Sequence, residues 1–241
     1  MRRYSATVHT AASLAATGQF AQLASRLGQH LWSDSRRIVL RRDLRQPFER
    51  PRSPVGFSIR LLEPSDVDTL FDVDSADEHV EREKRQRWLR AGMTSCYVAA
   101  LRDGRAVFMQ WLCTPSDNEV LRAVFPFEDL VVEPDTILLE GAYTPSRFRR
   151  LPLIPAAMAQ IAERGRDLDA RWAVVCVDEK NTSMIRASEW AGFTPWRLTT
   201  IRRRLFVPRF HYAAAPASLA PRGAAAREAP TRRARRGRRR A

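Results

Sequence analysis

The sequence has few of the residues that build covalent cross-links or metal centres. Its three cysteines, Cys96, Cys113 and Cys176, show no C-x-x-C spacing and fall in strand-like runs, so each is expected to be a buried, reduced thiol. The four histidines stand at unrelated spacings, and no zinc pattern is present. We therefore expect no metal site and a cytoplasmic location.

Long apolar runs and several catalytic motifs are also lacking. No window approaches the length needed to cross a bilayer, and the segment after Arg2 and Arg3 is too polar for a secretory signal. G-x-S-x-G, a Walker loop and G-x-G-x-x-G do not occur, so the enzyme and cofactor classes that depend on them lose support.

The charge of the chain is uneven. Its 241 residues, 44% of them apolar, suffice for one domain with extensions, and the net charge is +14. Nine arginines and one glutamate lie between Arg222 and Ala241. Residues 213–241 are expected to be disordered, because Ala, Pro and Arg cannot build a core. This tail either binds nucleic acid or another polyanion through counterion release or is a solvated terminus.

Residues 1–56 are expected to form an extension before the domain. A helix that ends near Trp32 is predicted there, and residues 36–44 are predicted to form a short edge strand before a proline-rich linker. The helix is predicted from apolar residues that share one face, which fits packing against the domain: Leu14, Phe20, Leu23, Leu27 and Leu31.

The domain is predicted to span residues 57–212. Asp103-Gly104 is a strong hairpin signal, and residues 114–135 fit either a strand or a short helix. The segment 206–212 is expected to end the ordered structure. The other predicted elements are a strand at 57–62, helices from Pro64 and over 76–91, a hairpin over 95–113, a strand at 136–143, a helix at 153–165, a strand at 172–177, a helix from 182 and two short strands over 194–206.

The strand at 136–143 is apolar except for Glu140 and contains Gly141. A glycine inside a strand often marks a bulge or a close backbone approach. The strand, helix and strand that follow one another over 136–177 predict parallel pairing, since such crossovers join parallel strands.

Two segments resemble the GNAT acetyltransferase superfamily. Asn181, Glu189, Gly192 and Phe193 form N-x7-E-x2-G-F after an apolar strand, as in that family's closing signature. Upstream residues resemble the family's acetyl-CoA loop and the helix after it: Tyr143, Thr144, Arg149 and Pro155 to Met158.

The resemblance covers about residues 57–207. It implies a GNAT-like α/β domain with a mixed sheet, acetyl-CoA as co-substrate and transfer of an acetyl group to an amine. It further implies that the strands ending near Tyr143 and Val177 part, so that backbone N–H groups hold the thioester. The implied coenzyme contacts are Ala142, Tyr143, Thr144, Arg147, Arg149, Arg150, Leu151, Asn181 and Ser183.

The predicted coenzyme loop departs from the family pattern. Arg150 and Pro152 stand where the family has glycines whose backbone N–H groups face a pyrophosphate. The arginines at 147, 149 and 150 could hold phosphates instead, or the loop is simply basic and solvated. Asn181 either binds pantetheine or caps the following helix.

Three residues are candidates for proton transfer. Glu140 is the candidate base, because burial in an apolar strand would raise its pKa, although its side chain could equally face solvent. Many family members carry a tyrosine where this chain has Ser188, whose hydroxyl is shorter and a poorer acid. Ser188, Tyr143, a water or another residue is expected to protonate the leaving thiolate, or the thiolate leaves unassisted, or the chain does not catalyse acetyl transfer.

Two functional hypotheses follow from these residues. The first is an acetyl-CoA-dependent N-acyltransferase that acts on a small-molecule or protein amine. The second is a non-catalytic GNAT-like protein that binds nucleic acid or another polyanion through its basic tail.

Overall fold

A computed structural model describes residues 32–71, 76–126, 128–205 and 207–215. The predicted N-terminal helix, except for Trp32, and the arginine-rich tail lie outside these residues. Within this part of the chain, no helix combines the length and apolar character needed to span a membrane.

The described strands form one mixed sheet, as the resemblance implied. Their order is β2-β3-β4-β5-β6-β1-β7-β8. β5 and β6 pair in parallel, and every other neighbouring pair is antiparallel. The strands are β1 (Trp32–Asp43), β2 (Phe57–Leu61), β3 (Cys96–Leu101), β4 (Ala106–Cys113), β5 (Thr136–Tyr143), β6 (Trp172–Asp178), β7 (Thr194–Arg204) and β8 (Val207–Ala214).

Strand β1 lies inside the sheet, between β6 and β7. Arg37 of β1 stands opposite Asp178 of β6 and Thr199 of β7. The prediction of a short edge strand over 36–44 is therefore wrong. The sheet takes one of its inner strands from the segment that was assigned to an extension before the domain.

An edge position would suit the arginines of β1, because arginine is rarely buried. Arg42 is nevertheless only 3% exposed. Its guanidinium lies 3.9 Å from the centre of the Phe48 ring, and it donates to Glu163 at 3.0 Å and to the Ala191 carbonyl at 3.1 Å. Glu163 and Ala191 lie 121 and 149 residues away in the chain, so the local sequence did not reveal these two contacts.

Local signals account for the helix ends. Glu63 and Asp66 form a capping box around Pro64, which occupies the first turn of α1. Gly192 has a φ of +91° after the last helix, a conformation that favours glycine. The helices are α1 (Pro64–Leu70), α2 (Ala76–Arg90), α3 (Asn118–Val124), α4 (Ile154–Glu163) and α5 (Thr182–Trp190), so residues 114–135 contain the short helix rather than a strand.

The end of the described chain differs from the prediction. The two short strands expected over 194–206 are a single strand, β7, whose pairing with β1 shifts register between Val39 and Leu40. β8 then continues the sheet to Ala214, beyond the segment that was expected to end the ordered structure. The Asp103-Gly104 hairpin between β3 and β4 is confirmed, with φ +84° at Gly104.

The sheet separates two cores, because alternate residues of each strand point to opposite faces. On one face, Leu139 and Val175 pack with Met158 of α4. On the other face, Leu138 packs with Trp88 of α2. A ligand that passes through the sheet would therefore meet different helices on its two sides.

Candidate active site

The parallel strands β5 and β6 part before they end. Their pairing runs from Thr136 opposite Trp172 to Leu139 opposite Val175, whereas β5 continues to Tyr143 and β6 to Asp178. The two strands thus leave a gap at their carboxyl ends. In sheets with parallel strands, ligands bind preferentially at this edge.

A bulge in β5 accompanies the gap, as its glycine predicted. Glu140 stands opposite Trp111 of β4 and Tyr143 opposite Met109, so two residues of β5 face one residue of β4. Gly141 in this bulge has a φ of +65°. A Cβ at this position would lie 2.5 Å from the Trp88 ring and 2.9 Å from the Trp111 ring, so only glycine fits without a shift.

A cavity of about 200 Å³ lies at the gap. Its walls come from both faces of the sheet, since α2 supplies one side and α4 and α5 supply the other. The cavity therefore runs through the sheet between β5 and β6. Its lining includes Lys84, Arg85 and Trp88 of α2, Glu140, Gly141 and Ala142 of β5, Gln110 of β4, Asp178 of β6, Met158 of α4, and Asn181, Met184 and Ser188 at α5.

Glu140 lies at this cavity and is half-buried. Burial raises the pKa of its carboxyl from 4.5 to about 7, and the nearby Glu128 carboxylate adds to the increase. The Gly141 N–H, which donates to Glu140 Oε1 at 2.9 Å, opposes it. Of the two orientations open to Glu140 from sequence, the structure has the one that lines the cavity.

Glu128 is itself held by Arg37 of β1. The two Nη atoms donate to the two carboxylate oxygens at 2.6 and 2.8 Å, a bidentate pair. This pair raises the pKa of Arg37. The positive charge of Arg37 also lowers the pKa of Glu140. Strand β1, which was not predicted to be near the site, therefore contributes to the electrostatics of the site.

Helix α2 supplies a cationic wall that the sequence analysis missed. Arg85 is 4% exposed, and its guanidinium lies 4.4 Å from the centre of the Tyr143 ring. Lys84 lies 5.0 Å from the centre of the Trp88 ring. Counting back from Trp88 in steps of three, four and three gives Arg85, Glu81 and Glu78, and this helical periodicity was the available signal.

Helix α5 brings two predicted residues to the cavity. Asn181 caps α5, since its Oδ1 accepts from the Met184 N–H at 3.1 Å. Ser188 is fully buried, and its hydroxyl donates to the Met184 carbonyl at 2.8 Å. Ser183 is exposed on the first turn of α5 and does not line the cavity.

Some buried polar atoms on β4, at the end of β5 and on α2 have no hydrogen-bond partner among the described residues. They include Gln110 Oε1, Tyr143 Oη, Thr144 Oγ1 and Arg85 Nε. Gln110 and Arg85 line the cavity. The Tyr143 ring stacks on Phe71 instead, with 5.1 Å between ring centres, and burial raises the pKa of its hydroxyl. Because native proteins rarely leave such atoms unpaired, this region is suited to polar ligand groups.

The basic loop after β5 has its first residues bound to α1 and α2. The Ser146 N–H donates to the buried Glu78 carboxylate at 2.7 Å, and the Ser146 hydroxyl donates to the same oxygen. Arg147 donates to the Thr69 carbonyl and, at 3.3 Å, to the Leu70 carbonyl. Arg147 is therefore directed toward α1.

The remaining loop backbone is largely committed to its own turns. The amides of Phe148, Arg149, Leu151 and Leu153 donate to loop carbonyls at 2.8 to 3.3 Å, and Pro152 has no N–H. Arg149 Nε donates to the Thr144 carbonyl at 3.3 Å, and half-buried Leu151 packs against the core. Arg149 and Arg150 are exposed beside the start of α4, where the first-turn N–H groups favour anions.

No protein-family profile matches the sequence, and no curated protein does. A GCN5-related glucosamine N-acetyltransferase region of a fungal multi-domain β-N-acetylglucosaminidase aligns with a TM-score of 0.52 and 14% identity over 77% of this chain and 22% of that chain. A GCN5-related N-acetyltransferase from Sphaerobacter thermophilus aligns at 0.44 with 18% identity, over 76% of this chain and 57% of that one.

A GNAT-family acetyltransferase from Colwellia psychrerythraea aligns with a TM-score of 0.48 and 8% identity, over 71% of this chain and 57% of that one. The chain thus spans less than two thirds of the length of each of these three proteins. Of these three alignments, the fungal one has a TM-score above 0.5. Because its sequence identity is only 14%, it supports the fold alone.

Proposed function

We propose that this chain, which has the GNAT fold, is an acetyl-CoA-dependent N-acyltransferase that moves an acetyl group from the thioester to an amine. The observation that supports the proposal best is the cavity through the sheet, where β5 and β6 part beside Glu140. It offers a path by which a thioester on the α4 and α5 side could meet an amine on the α2 side.

In the proposed reaction, the neutral amine nitrogen attacks the carbonyl carbon of the thioester. The new C–N bond forms as the C–S bond breaks, and the electron pair of that bond stays on sulfur. We assign the developing oxyanion to the backbone N–H groups at Ala142 and Tyr143, of which Ala142 lines the cavity. The Gly141 N–H is not available, because it donates to Glu140.

Glu140 is the proposed base. A carboxyl with a pKa of about 7 is partly ionised at neutral pH and remains basic enough to accept the amine proton. The protonated carboxyl can then return the proton to the thiolate, since thiols have a higher pKa of about 8.5. Ser188 already donates its hydroxyl proton to Met184, and the Tyr143 hydroxyl does not line the cavity, so we rank both below Glu140 for this step.

The residues fit the two ends of acetyl-CoA unequally. The gap with its unpaired polar atoms suits the thioester and the pantetheine amides, and Asn181 lies where it could contact pantetheine while it caps α5. For the phosphates, the loop offers few amides, so we assign contact to Arg149 and Arg150, with Thr144, Leu151 and Ser183 as neighbouring candidates. From the free cysteines, we propose a cytoplasmic location.

Calorimetry with acetyl-CoA tests this proposal directly. We expect saturable binding of acetyl-CoA to the full chain and weaker binding to Arg150→Ala. Arg164→Ala is the matched control, because Arg164 is an exposed arginine at the opposite end of α4 and should leave the affinity unchanged. An absence of binding heat and of any thermal shift at saturating acetyl-CoA would remove the enzyme from consideration.

The second hypothesis, a polyanion-binding protein, is supported by the basic loop after β5, whose backbone amides are largely bonded within the loop. Because four loop amides are committed internally and Pro152 has none, a chain that has lost coenzyme binding would look similar here. This alternative predicts salt-sensitive retention on nucleic acid that disappears when residues 216–241 are removed. Retention that survives the truncation would contradict it.

A further inference from the structure

The α2 side of the cavity carries two cationic side chains. Arg85 and Lys84 both line it, whereas Glu140 and Asp178 are its carboxyl groups. The Asp178 carboxylate accepts from the Lys180 N–H at 2.9 Å in the turn after β6. The acceptor amine, on the proposed function, would enter beside Glu140 against this cationic wall.

The guanidinium of Arg85 has one edge with bonding capacity left. Nη1 donates to Glu81, but Nη2 makes only a long bond of 3.4 Å to the Gly141 carbonyl. Nε has no hydrogen-bond partner among the described residues. Nε and Nη2 lie on the same side of a guanidinium, and this edge binds a carboxylate through two parallel hydrogen bonds.

Backbone geometry limits the distance between Arg85 and Glu140. Both bind the same residue, because Glu140 accepts from the Gly141 N–H at 2.9 Å and Arg85 donates to the Gly141 carbonyl at 3.4 Å. The N and O atoms of one residue are no more than about 3.6 Å apart, so the two side chains are at most about 10 Å apart. A compact molecule could therefore contact both.

Lys84 adds a second positive charge to this wall. Its ammonium lies 5.0 Å from the centre of the Trp88 ring, and its charge lowers the pKa of Glu140. A second positive charge on the acceptor, as in a polyamine, would find no anionic partner among the described residues of this wall beyond Glu81, which Arg85 already binds. A neutral amine would leave the buried edge of Arg85 without a hydrogen-bond acceptor, which is unfavourable.

We propose that the acceptor is a small amino acid, whose carboxylate binds the Nε and Nη2 edge of Arg85 beside Lys84 while its amine faces Glu140. The inference rests on the proposed function. An α- or β-amino acid separates its amine from its carboxylate by only a few bonds, so it fits the limit set by Gly141. Arg85 and Lys84 are then residues that determine specificity.

Matched acceptors test the inference. Initial rates of thiol release from acetyl-CoA are measured with L-alanine and β-alanine and with the corresponding carboxamides, which keep the shape but lose the negative charge. We expect kcat/KM to be at least tenfold higher for the acids. The comparison is conservative at pH 8, because carboxamides of this kind have the less basic amine and so more of it in the reactive neutral form.

Substitutions of Lys84 and Arg85 test whether these two residues cause the preference for acids. Lys84→Met should lower kcat/KM for the acids by about fivefold relative to that for the carboxamides, because any effect of Lys84 on Glu140 is shared by both kinds of acceptor, and Arg85→Gln should abolish the preference. Arg87→Met, an exposed arginine of the same helix, is the control and should change neither. If Arg85→Gln does not fold, Lys84→Met still decides, since Lys84 is exposed.

Two results separate the possible failures. Equal rates with acids and carboxamides, or faster rates with a diamine, would overturn the acceptor assignment and leave the acetyltransferase standing. If acetyl-CoA does not bind at all, the enzyme proposal fails. Calorimetry of L-alanine and β-alanine without coenzyme then still tests the carboxylate site at Arg85. The amino acids should bind the unchanged protein and should not bind Arg85→Gln. If they do not bind the unchanged protein, the proposed carboxylate site is refuted.

Discussion

Replacing Glu140 by glutamine should stabilise the protein at alkaline pH. Glutamine keeps the oxygen that accepts from the Gly141 N–H but cannot ionise. The folded chain holds the Glu140 proton up to a pKa of about 7, whereas the unfolded chain releases it near 4.5. Folded Glu140 therefore binds more protons between these values, and its contribution to stability is lost as the pH rises through 7.

The size of the effect follows from the two pKa values. Between about pH 5.5 and about pH 8, linkage gives a loss of about 2 kcal/mol in the free energy of unfolding of the unchanged protein relative to Glu140→Gln. For a domain of this size, that equals a difference in Tm of about 4 to 8 °C. Other titrating groups cancel in the comparison, because both proteins contain them.

Urea unfolding of both proteins at the two pH values measures this difference. The variant should lose thiol release at both pH values, because it has no base. In the unchanged protein, kcat/KM divided by the fraction of acceptor in the neutral amine form should rise with a midpoint near pH 7. A stability difference that does not vary with pH would show that Glu140 titrates normally and that burial does not set its pKa.

Three further predictions concern the bulge, its charges and the α5 cap. Gly141→Ala should lower the free energy of unfolding by about 2–5 kcal/mol, because the new side chain meets a positive φ and overlaps two tryptophan rings. Gly104→Ala is the control: its φ is also positive but the space around it is open, so urea unfolding should show a loss of only about 1–2 kcal/mol. Glu128→Gln should move the midpoint of the pH–rate profile below that of the unchanged protein, because it removes a charge that raises the pKa of Glu140. Asn181→Ala should cost about 0.5–2 kcal/mol in thermal unfolding, and Asn181→Asp should retain the cap; equal losses in both variants would contradict the capping role.

Much of the site was predictable because its signals are local. Gly141 marked the bulge, Asn181 marked the start of α5 and Glu140 stood out in an apolar strand. Each of these depends on neighbours a few residues away, which a sequence displays directly. The position of β5 next to β6 followed from the strand, helix and strand order that joins parallel strands.

The errors concern contacts between distant residues. Residues 36–44 were predicted to form an edge strand, but Arg42 in this segment is buried against Phe48, Glu163 and Ala191. Nothing in the sequence singled out Arg85 on α2, yet its guanidinium is buried and donates to the carbonyl of Gly141 at 3.4 Å. Charged residues are predicted to be exposed by default, and only tertiary structure reveals the pairs that contradict this.

The insertion of β1 between β6 and β7 affects the order in which the chain can fold during synthesis. β1 is translated first, but its partners begin about 130 residues later, a delay of about 6 to 30 s at ordinary ribosomal speeds. Until then its apolar run Ile38–Leu40 has no sheet to join. A shortened chain that begins at residue 57 would lack β1, so β6 and β7 would each lose the strand with which they pair. Recombinant production should therefore retain residues from Trp32 onward.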